Sequence, residues 1–164
     1  MDDIDLRLVS ALVADARASY AELGRLVGLS APSVHDRVRR LERSGAIRGY
    51  AADVSPTAVG LGVTALVGIL QREGAEQDDL AEALAGIDEV EDCWFVAGEE
   101  AFVVKVRVAD VDALEHTLGT LRRTPGVART RTTVVLSTRF ENRRRLGARA
   151  TSAATADSPG HNGT

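Results

Sequence analysis

"SYAELGRLVGLSAPSVHDRVRRLERSG", residues 19–45, decides how this chain is read. It opens on Ser19-x-x-Glu22, the capping-box form in which a serine hydroxyl accepts from the Glu22 amide while the Glu22 carboxylate reaches back. Leu23, Leu26 and Val27 supply the apolar stripe of a short helix that ends near Val27. Gly28 permits a tight turn and Ser30 can cap the next helix. Pro32 falls in that helix's first turn, where its missing N–H costs nothing, and Gly45 closes it. The spacing predicts this second helix over 31–43. At about 100° per residue, Val34, Val38 and Leu41 share one stripe. Ser33, Asp36, Arg39, Arg40 and Arg43 then lie on the opposite side, with His35 and Arg37 on the flanks.

A short helix, a glycine-containing turn and a second helix with a basic outer face form a helix-turn-helix. In such a unit the N-terminal part of the second helix reaches base edges, which assigns Ser33, Asp36 and Arg37 to base reading and Arg39, Arg40 and Arg43 to phosphates. Taken alone, an arginine-rich helical face is more often a solvated one, with Asp36 pairing Arg40 across one turn. The cap, the glycine turn and the preceding short helix reverse that preference. His35 has no partner at metal-ligand spacing and reads as a helix-flank or DNA-edge residue.

Upstream, Ile4, Leu6, Leu8, Val9, Leu12 and Val13 predict a helix over about 3–16, behind an acidic start that suits a helix N-terminus. Downstream, "IRGYAADVSPTAVGLG" (47–62) reads as one short strand and then a linker. Beyond it the periodicity changes. "LGVTALVGIL" (61–70) is a strand apolar on both faces; Leu80, Ala83, Leu84 and Ile87 mark a helix; "VEDCWFV" (90–96) is a strand. In "AFVVKVRV" (101–108), Phe102, Val104, Val106 and Val108 alternate with Val103, Lys105 and Arg107. Val111, Leu114, Leu118 and Leu121 stripe a further helix, and "TPGV" turns into a long strand over 127–138.

Strand, helix, strand, strand, helix, strand is a split βαβ arrangement, a four-stranded antiparallel sheet with helices on one face. The other face needs a cover: Val63, Ala65, Val67 and Ile69, or their alternates, would meet water in a monomer, which predicts a homodimer through sheets. The fold class is therefore α+β. The expected domains are a DNA-binding unit over 1–53, a linker over 54–62, a ferredoxin-like unit over 63–140, and a tail over 141–164. The tail's Ser/Thr/Ala/Gly/Pro composition is expected to leave it disordered.

Charge divides along the chain. Net charge is 0 over residues 1–53, −7 over 54–138 and +3 over 139–164, within a total of −4. The basic stretch Arg37–Arg48 thus sits in an otherwise acidic protein and keeps nucleic acid among the partners. One cysteine, Cys93, excludes an internal disulfide framework and reads as a small buried hydrophobe, while Trp94 reads as a core or interface aromatic. No apolar run approaches the roughly 18 residues of a membrane span, and the acidic N-terminus is unlike a secretory signal, so a cytoplasmic protein is expected. The chain has no Ser/His/Asp or Cys/His set, no phosphate-binding glycine loop, no histidine-backed carboxylate pair and no metal-ligand spacing. It reads as neither an enzyme nor a cofactor protein.

These signals in order, "D-x-x-D", "VGLS", "RVRRLE-x-x-G-x-I-x-GY" and a proline, then "VAGEEAF", "TPGV" and "TRTTVV", resemble the Lrp/AsnC (leucine-responsive, feast/famine) transcriptional regulators over residues 2–140. The resemblance implies a winged helix-turn-helix followed by a ferredoxin-like, ACT-like RAM domain. It implies a dimer or larger ring of dimers, with an amino acid or related metabolite held between sensing domains. The family's recognition helix falls on Ser30 to Leu41, which adds Ser30 to the DNA-binding set. Its effector loop falls on Gly98, Glu99, Glu100, Ala101 and Phe102, and its last strand offers Thr130, Thr132 and Thr133 to the same cleft. The family loop commonly reads Gly-Asp-x-Asp-aromatic. Here Ala101 stands in place of the second aspartate, and Glu99 or Glu100 is left to meet an α-ammonium group.

The leading expectation is a sequence-specific DNA-binding regulator modulated by an amino acid. The alternatives are an architectural DNA binder without an effector and an amino-acid-sensing partner of an enzyme.

Overall fold

The structure is a computed structural model and describes residues 1–142. It contains two compact units, one built on Met1–Ala52 and the other on Asp53–Arg139.

The first unit holds three helices, α1 (Asp3–Ala14), α2 (Tyr20–Val27) and α3 (Ala31–Arg43). α1 stops two residues short of the expected end because Asp15 leaves helical geometry, and its carboxylate accepts from the Arg17 amide at 2.8 Å. α2 starts on the expected box: the Glu22 amide donates to Ser19 Oγ at 3.3 Å and the Ser19 amide donates to Glu22 Oε2 at 2.8 Å. Gly28 ends α2 at φ +73°, a left-handed conformation that favours glycine. Leu8, Leu12, Leu23, Val27, Val34 and Val38 form the core, and Leu41 is buried with the α3 stripe. Leu26, expected in the stripe of α2, is instead 49% exposed, since the stripe through Leu23 and Val27 turns it outward.

The short strand expected within 47–62 is not formed. Among the described residues nothing pairs with it, and an unpaired run of N–H and C=O groups gains nothing from strand geometry. The Tyr50 hydroxyl instead donates to Glu42 at 3.0 Å, and a 3-10 helix, Pro56–Val59, follows.

The second unit runs β1 (Val63–Gln71), α4 (Gln77–Ala85), β2 (Val90–Phe95), β3 (Phe102–Val108), α5 (Val111–Arg123), β4 (Val127–Val135). Its four strands lie in the order β2-β3-β1-β4 and every pairing is antiparallel, the split βαβ topology. Ala65, Val67 and Ile69 on β1 lie opposite Val106, Val104 and Phe102 on β3. All six are buried with Leu80 and Leu84 of α4 and Leu114 and Leu121 of α5. Each of these side chains other than Ala65 contributes about 1.5–3 kcal/mol relative to exposure.

The alternate residues form an open face on which Leu66 is 39% and Trp94 46% exposed. It is these alternates, not Ala65, Val67 and Ile69, that a monomer leaves in water. Cys93, expected to be buried, is exposed because β2 is an edge strand with nothing packed beyond it among the described residues. β4 ends three residues before the expected 138, where Leu136 is exposed. No helix among the described residues is long and apolar enough to cross a membrane. Most of the expected tail, 143–164, lies outside the described residues.

Candidate functional site

Two constructions carry chemistry, one in each unit. In the first, α3 begins on Ser30, whose hydroxyl accepts from the Ser33 amide at 3.4 Å and lies 2.9 Å from Ser33 Oγ. Opposite the buried stripe, Ser33, Asp36, Arg39, Arg40 and Arg43 are all exposed. His35 sits edge-on to Tyr20, ring centres 5.3 Å apart, with Nδ1 3.4 Å from Asp36 Oδ1. Arg43 Nε donates to the Arg39 carbonyl at 3.3 Å.

Arg40 does not pair with Asp36. Together with Arg37 it reaches α1: Arg37 Nη1 donates to Asp2 Oδ2 at 2.7 Å and to Asp5 Oδ1 at 2.8 Å, and Arg40 Nη2 donates to both Asp5 oxygens at 3.1 Å. Asp5 is 2% exposed, and it closes a capping box with Asp2 at the start of α1. Burial pushes the Asp5 carboxyl up, but the hydrogen bonds from Arg37 and the Asp2 amide and the charge of Arg40 outweigh it and hold it below its ordinary value. Asp2 is also held low, chiefly by its hydrogen bond from Arg37. The eight positions expected to meet DNA therefore sort by geometry. Ser30 caps, His35 packs edge-on against Tyr20, Arg37 and Arg40 tie α3 to α1, and Ser33, Asp36, Arg39 and Arg43 point outward. The "D-x-x-D" signal was legible only as a helix start. Its second role as a two-arginine anchor joins residues more than thirty apart in sequence.

Gly24 is a further position that the motif reading passed over. A Cβ there would lie 2.5 Å from the Leu29 carbonyl oxygen, so α2 meets the turn backbone closely enough that any side chain would force that backbone to shift. The available signal was a glycine inside a short helix, which needs a packing reason.

In the second unit the loop Val96–Ala101 joins β2 and β3. The Val96 amide donates to the Ala101 carbonyl and the Ala101 amide to the Ile69 carbonyl, each at 2.9 Å, which pins the loop to the end of β1. Gly98 does not take a positive φ, and nothing lies within 4 Å of where its Cβ would be. The reversal is spread over four residues between the closing pair and does not demand glycine there. A cleft of about 550 Å³ is lined by Gln71, Ala75, Glu76, Gln77 and the run Phe95–Ala101.

Gly98, Glu99, Glu100 and Ala101 are thus brought together, while the other expected effector residues are not. Phe102 is buried in the core, edge-on to Phe95 at 5.4 Å. Thr130 and Thr132 pair with Ile69 and Val67 on the helix side of the sheet, whereas Thr133 pairs with Leu66 on the open face. Strand alternation separates them.

Across the open face, Arg131 Nη1 donates to Glu100 Oε1 at 2.8 Å and Nη2 to Glu99 Oε2 at 3.0 Å; Arg129 stands 3.7 Å from Glu99. Hydrogen bonding to Glu99, with the charges of both glutamates, raises the Arg131 pKa further. Neither arginine was singled out from sequence. The signal was present as alternating Arg129 and Arg131 in a strand opposite a two-glutamate loop.

Comparison with known proteins is consistent across the chain. The AsnC-type helix-turn-helix domain matches residues 1–42 and the Lrp/AsnC ligand binding domain matches residues 64–145. The HTH-type transcriptional regulator LrpA of Mycobacterium tuberculosis is 45% identical over 146 residues, 89% of this chain and 97% of that protein. The leucine-responsive regulatory protein of Escherichia coli is 38% identical over 139 residues, 83% of this chain and 85% of that protein. Among solved structures, the feast or famine regulatory protein from M. tuberculosis complexed with L-methionine superposes with a TM-score of 0.83 at 46% identity, covering 88% of this chain and 97% of that one. The chain belongs to the Lrp/AsnC family of transcriptional regulators, with a helix-turn-helix domain and a ligand-binding domain of that family.

Proposed function

We propose that this regulator reads DNA through α3, with Ser33 and Asp36 at base edges, Arg39 and Arg43 on phosphates, and His35 at the groove edge. Ser30 fixes the helix start, Arg37 sets the helix on α1, and Arg40 offers its exposed N–H groups to the backbone. The single observation that carries this reading is the exposed polar face of α3, opposite a fully buried stripe and held in place by the Asp5 anchor. Arg39→Ala and Arg43→Ala each weaken binding to every DNA sequence and lower the salt slope by about one, whereas Asp36→Ala changes sequence preference. Fluorescence anisotropy across a salt series checks this. Slopes unchanged in both arginine variants would place the phosphate contacts elsewhere.

The loop at Gly98–Ala101 is the effector site in this reading, and the effector is an amino acid that binds one assembly state more tightly than another. The cleft beside the glutamates supports it, as does the methionine found in the M. tuberculosis neighbour. Mobility-shift titrations with the twenty amino acids test it. An unaltered DNA affinity and oligomer size throughout would leave an architectural DNA binder.

Two chains associate through the open sheet face in the same proposal, since Leu66, Trp94 and their neighbours present apolar area there. Leu66→Lys is expected to lower the sedimenting mass to that of a single chain. A mass equal to the parent's would move the interface off this face.

A further inference from the structure

β1 is a central strand of β-formers with a single interior glycine, Gly68. A glycine inside a strand weakens it and marks a place where another group comes close. Here the group is Glu100: a Cβ on Gly68 would lie 2.7 Å from Glu100 Cγ and 3.2 Å from Glu100 Oε1. In the sheet register Gly68 stands directly opposite Arg131. The glutamate therefore crosses the bare backbone of β1 and meets a guanidinium presented by the next strand, 2.8 Å away. The result is a closed ion pair laid over a slot at the edge of the loop cleft.

That arrangement has a chemical consequence for the loop's role. A site made only of Glu99 and Glu100 would select amines. This one already holds a cation, so an amine that takes Glu100 leaves Arg131 with Glu99 alone, whereas a simple carboxylate that takes Arg131 leaves Glu100 without its cation. A molecule carrying both charges on adjacent carbons satisfies both ends of the pair. We propose that Arg131 is the carboxylate-receiving half of the effector site: an unmodified α-amino acid opens the Glu100–Arg131 pair, giving its carboxylate to Arg131 and its ammonium to Glu100.

This rests on the reading that the loop binds an amino acid, and it names the chemistry by which that class is chosen. The guanidinium suits the task because its planar fork matches a carboxylate at two points. The incoming amino acid is a zwitterion, so no net charge is taken up. Effector binding therefore depends weakly on salt, in contrast to DNA binding.

The test uses the full chain and isothermal titration calorimetry. The amino acid that binds best is compared with its own carboxamide, which lacks the negative charge, and with its N-acetyl form, which lacks the positive one. In the parent protein each blocked form binds about tenfold more weakly or worse, the size of a lost charge-assisted hydrogen bond. In Arg131→Gln the free amino acid and its carboxamide become equal within about threefold, while discrimination against the N-acetyl form persists. In Glu100→Gln the pattern reverses, and Arg131→Lys restores part of the carboxylate preference. Arg131 is largely exposed, so its replacement does not threaten folding. An undiminished carboxylate preference in Arg131→Gln overturns the assignment while leaving amino-acid binding intact. A parent protein that binds none of the twenty amino acids overturns the effector reading itself, and the assignment with it.

Discussion

Gly24→Ala is expected to destabilise the helix-turn-helix strongly while the sheet unit keeps its stability. An exposed Gly→Ala change within a helix would stabilise it by about 1 kcal/mol. At Gly24 the sign reverses, because the new methyl would lie 2.5 Å from the Leu29 carbonyl oxygen and 3.5 Å from its carbon. Those are backbone atoms, and they cannot step aside cheaply: the Leu29 amide donates to the Gly24 carbonyl at 2.9 Å, as does the amide of Gly28. Overpacking of this kind costs about 1–3 kcal/mol, and more where the backbone itself must move. A three-helix unit of this size has roughly 3–8 kcal/mol in total. Hydrogen exchange checks the result by region: amides of α2 and α3 lose much of their protection, those of β1 and β3 keep it, and specific DNA binding weakens. Full protection in α2 would mean that the turn accommodates the methyl.

Asp5→Asn is the second large effect. The carboxylate is almost wholly buried and accepts from Arg37 and Arg40, while its own chain start is closed by Asp2. The amide keeps the shape but loses the charge. It accepts at one oxygen only and leaves two guanidinium groups sharing it, at a cost of about 1.5–3 kcal/mol. Because the arginines are partly exposed and can turn to water, the loss falls short of a fully buried pair broken in half.

The acid limb of stability follows from the same group. Asp5 and Asp2 both have folded-state pKa values below the ordinary 3.8, so they contribute their full stabilisation above that value. The contribution is lost as pH falls through the lowered values. The parent's helical unit should therefore weaken steeply below about pH 4, and Asp5→Asn should show a shallower fall from a lower plateau. Parallel acid limbs in the two proteins would show that Asp5 is not the group that titrates.

Local signals made most of the fold legible. Ser19 and Glu22, Ser30 and Pro32, and the stripe Val34, Val38 and Leu41 each specify structure within a few residues, and all took the form expected of them. The alternation of Phe102, Val104, Val106 and Val108 likewise fixed the buried face of β3. A helical wheel places Arg37 and Arg40 on an outer side, but it cannot know that a buried aspartate on another helix awaits them. The same limit hid Arg131, which meets Glu100 only after two strands have been brought side by side. Thr130, Thr132 and Thr133 look like one polar cluster in the chain. Pleating sends them to opposite faces. At residues 47–62, strand propensity was read where no partner strand exists among the described residues to complete the hydrogen bonds.

The register of β1 against β4 has a mechanical consequence. Thr64, at the start of the sheet unit, is paired with Val135 at its end, so the two ends leave from one corner on adjacent antiparallel strands. A pull on those ends meets the interstrand hydrogen bonds one after another, as a zipper does, rather than shearing them all together. The unit is thus well packed against heat yet soft to tension along its own chain. Force reaching it through the backbone would peel the edge strand β4 from β1, carrying Arg131 off Glu100.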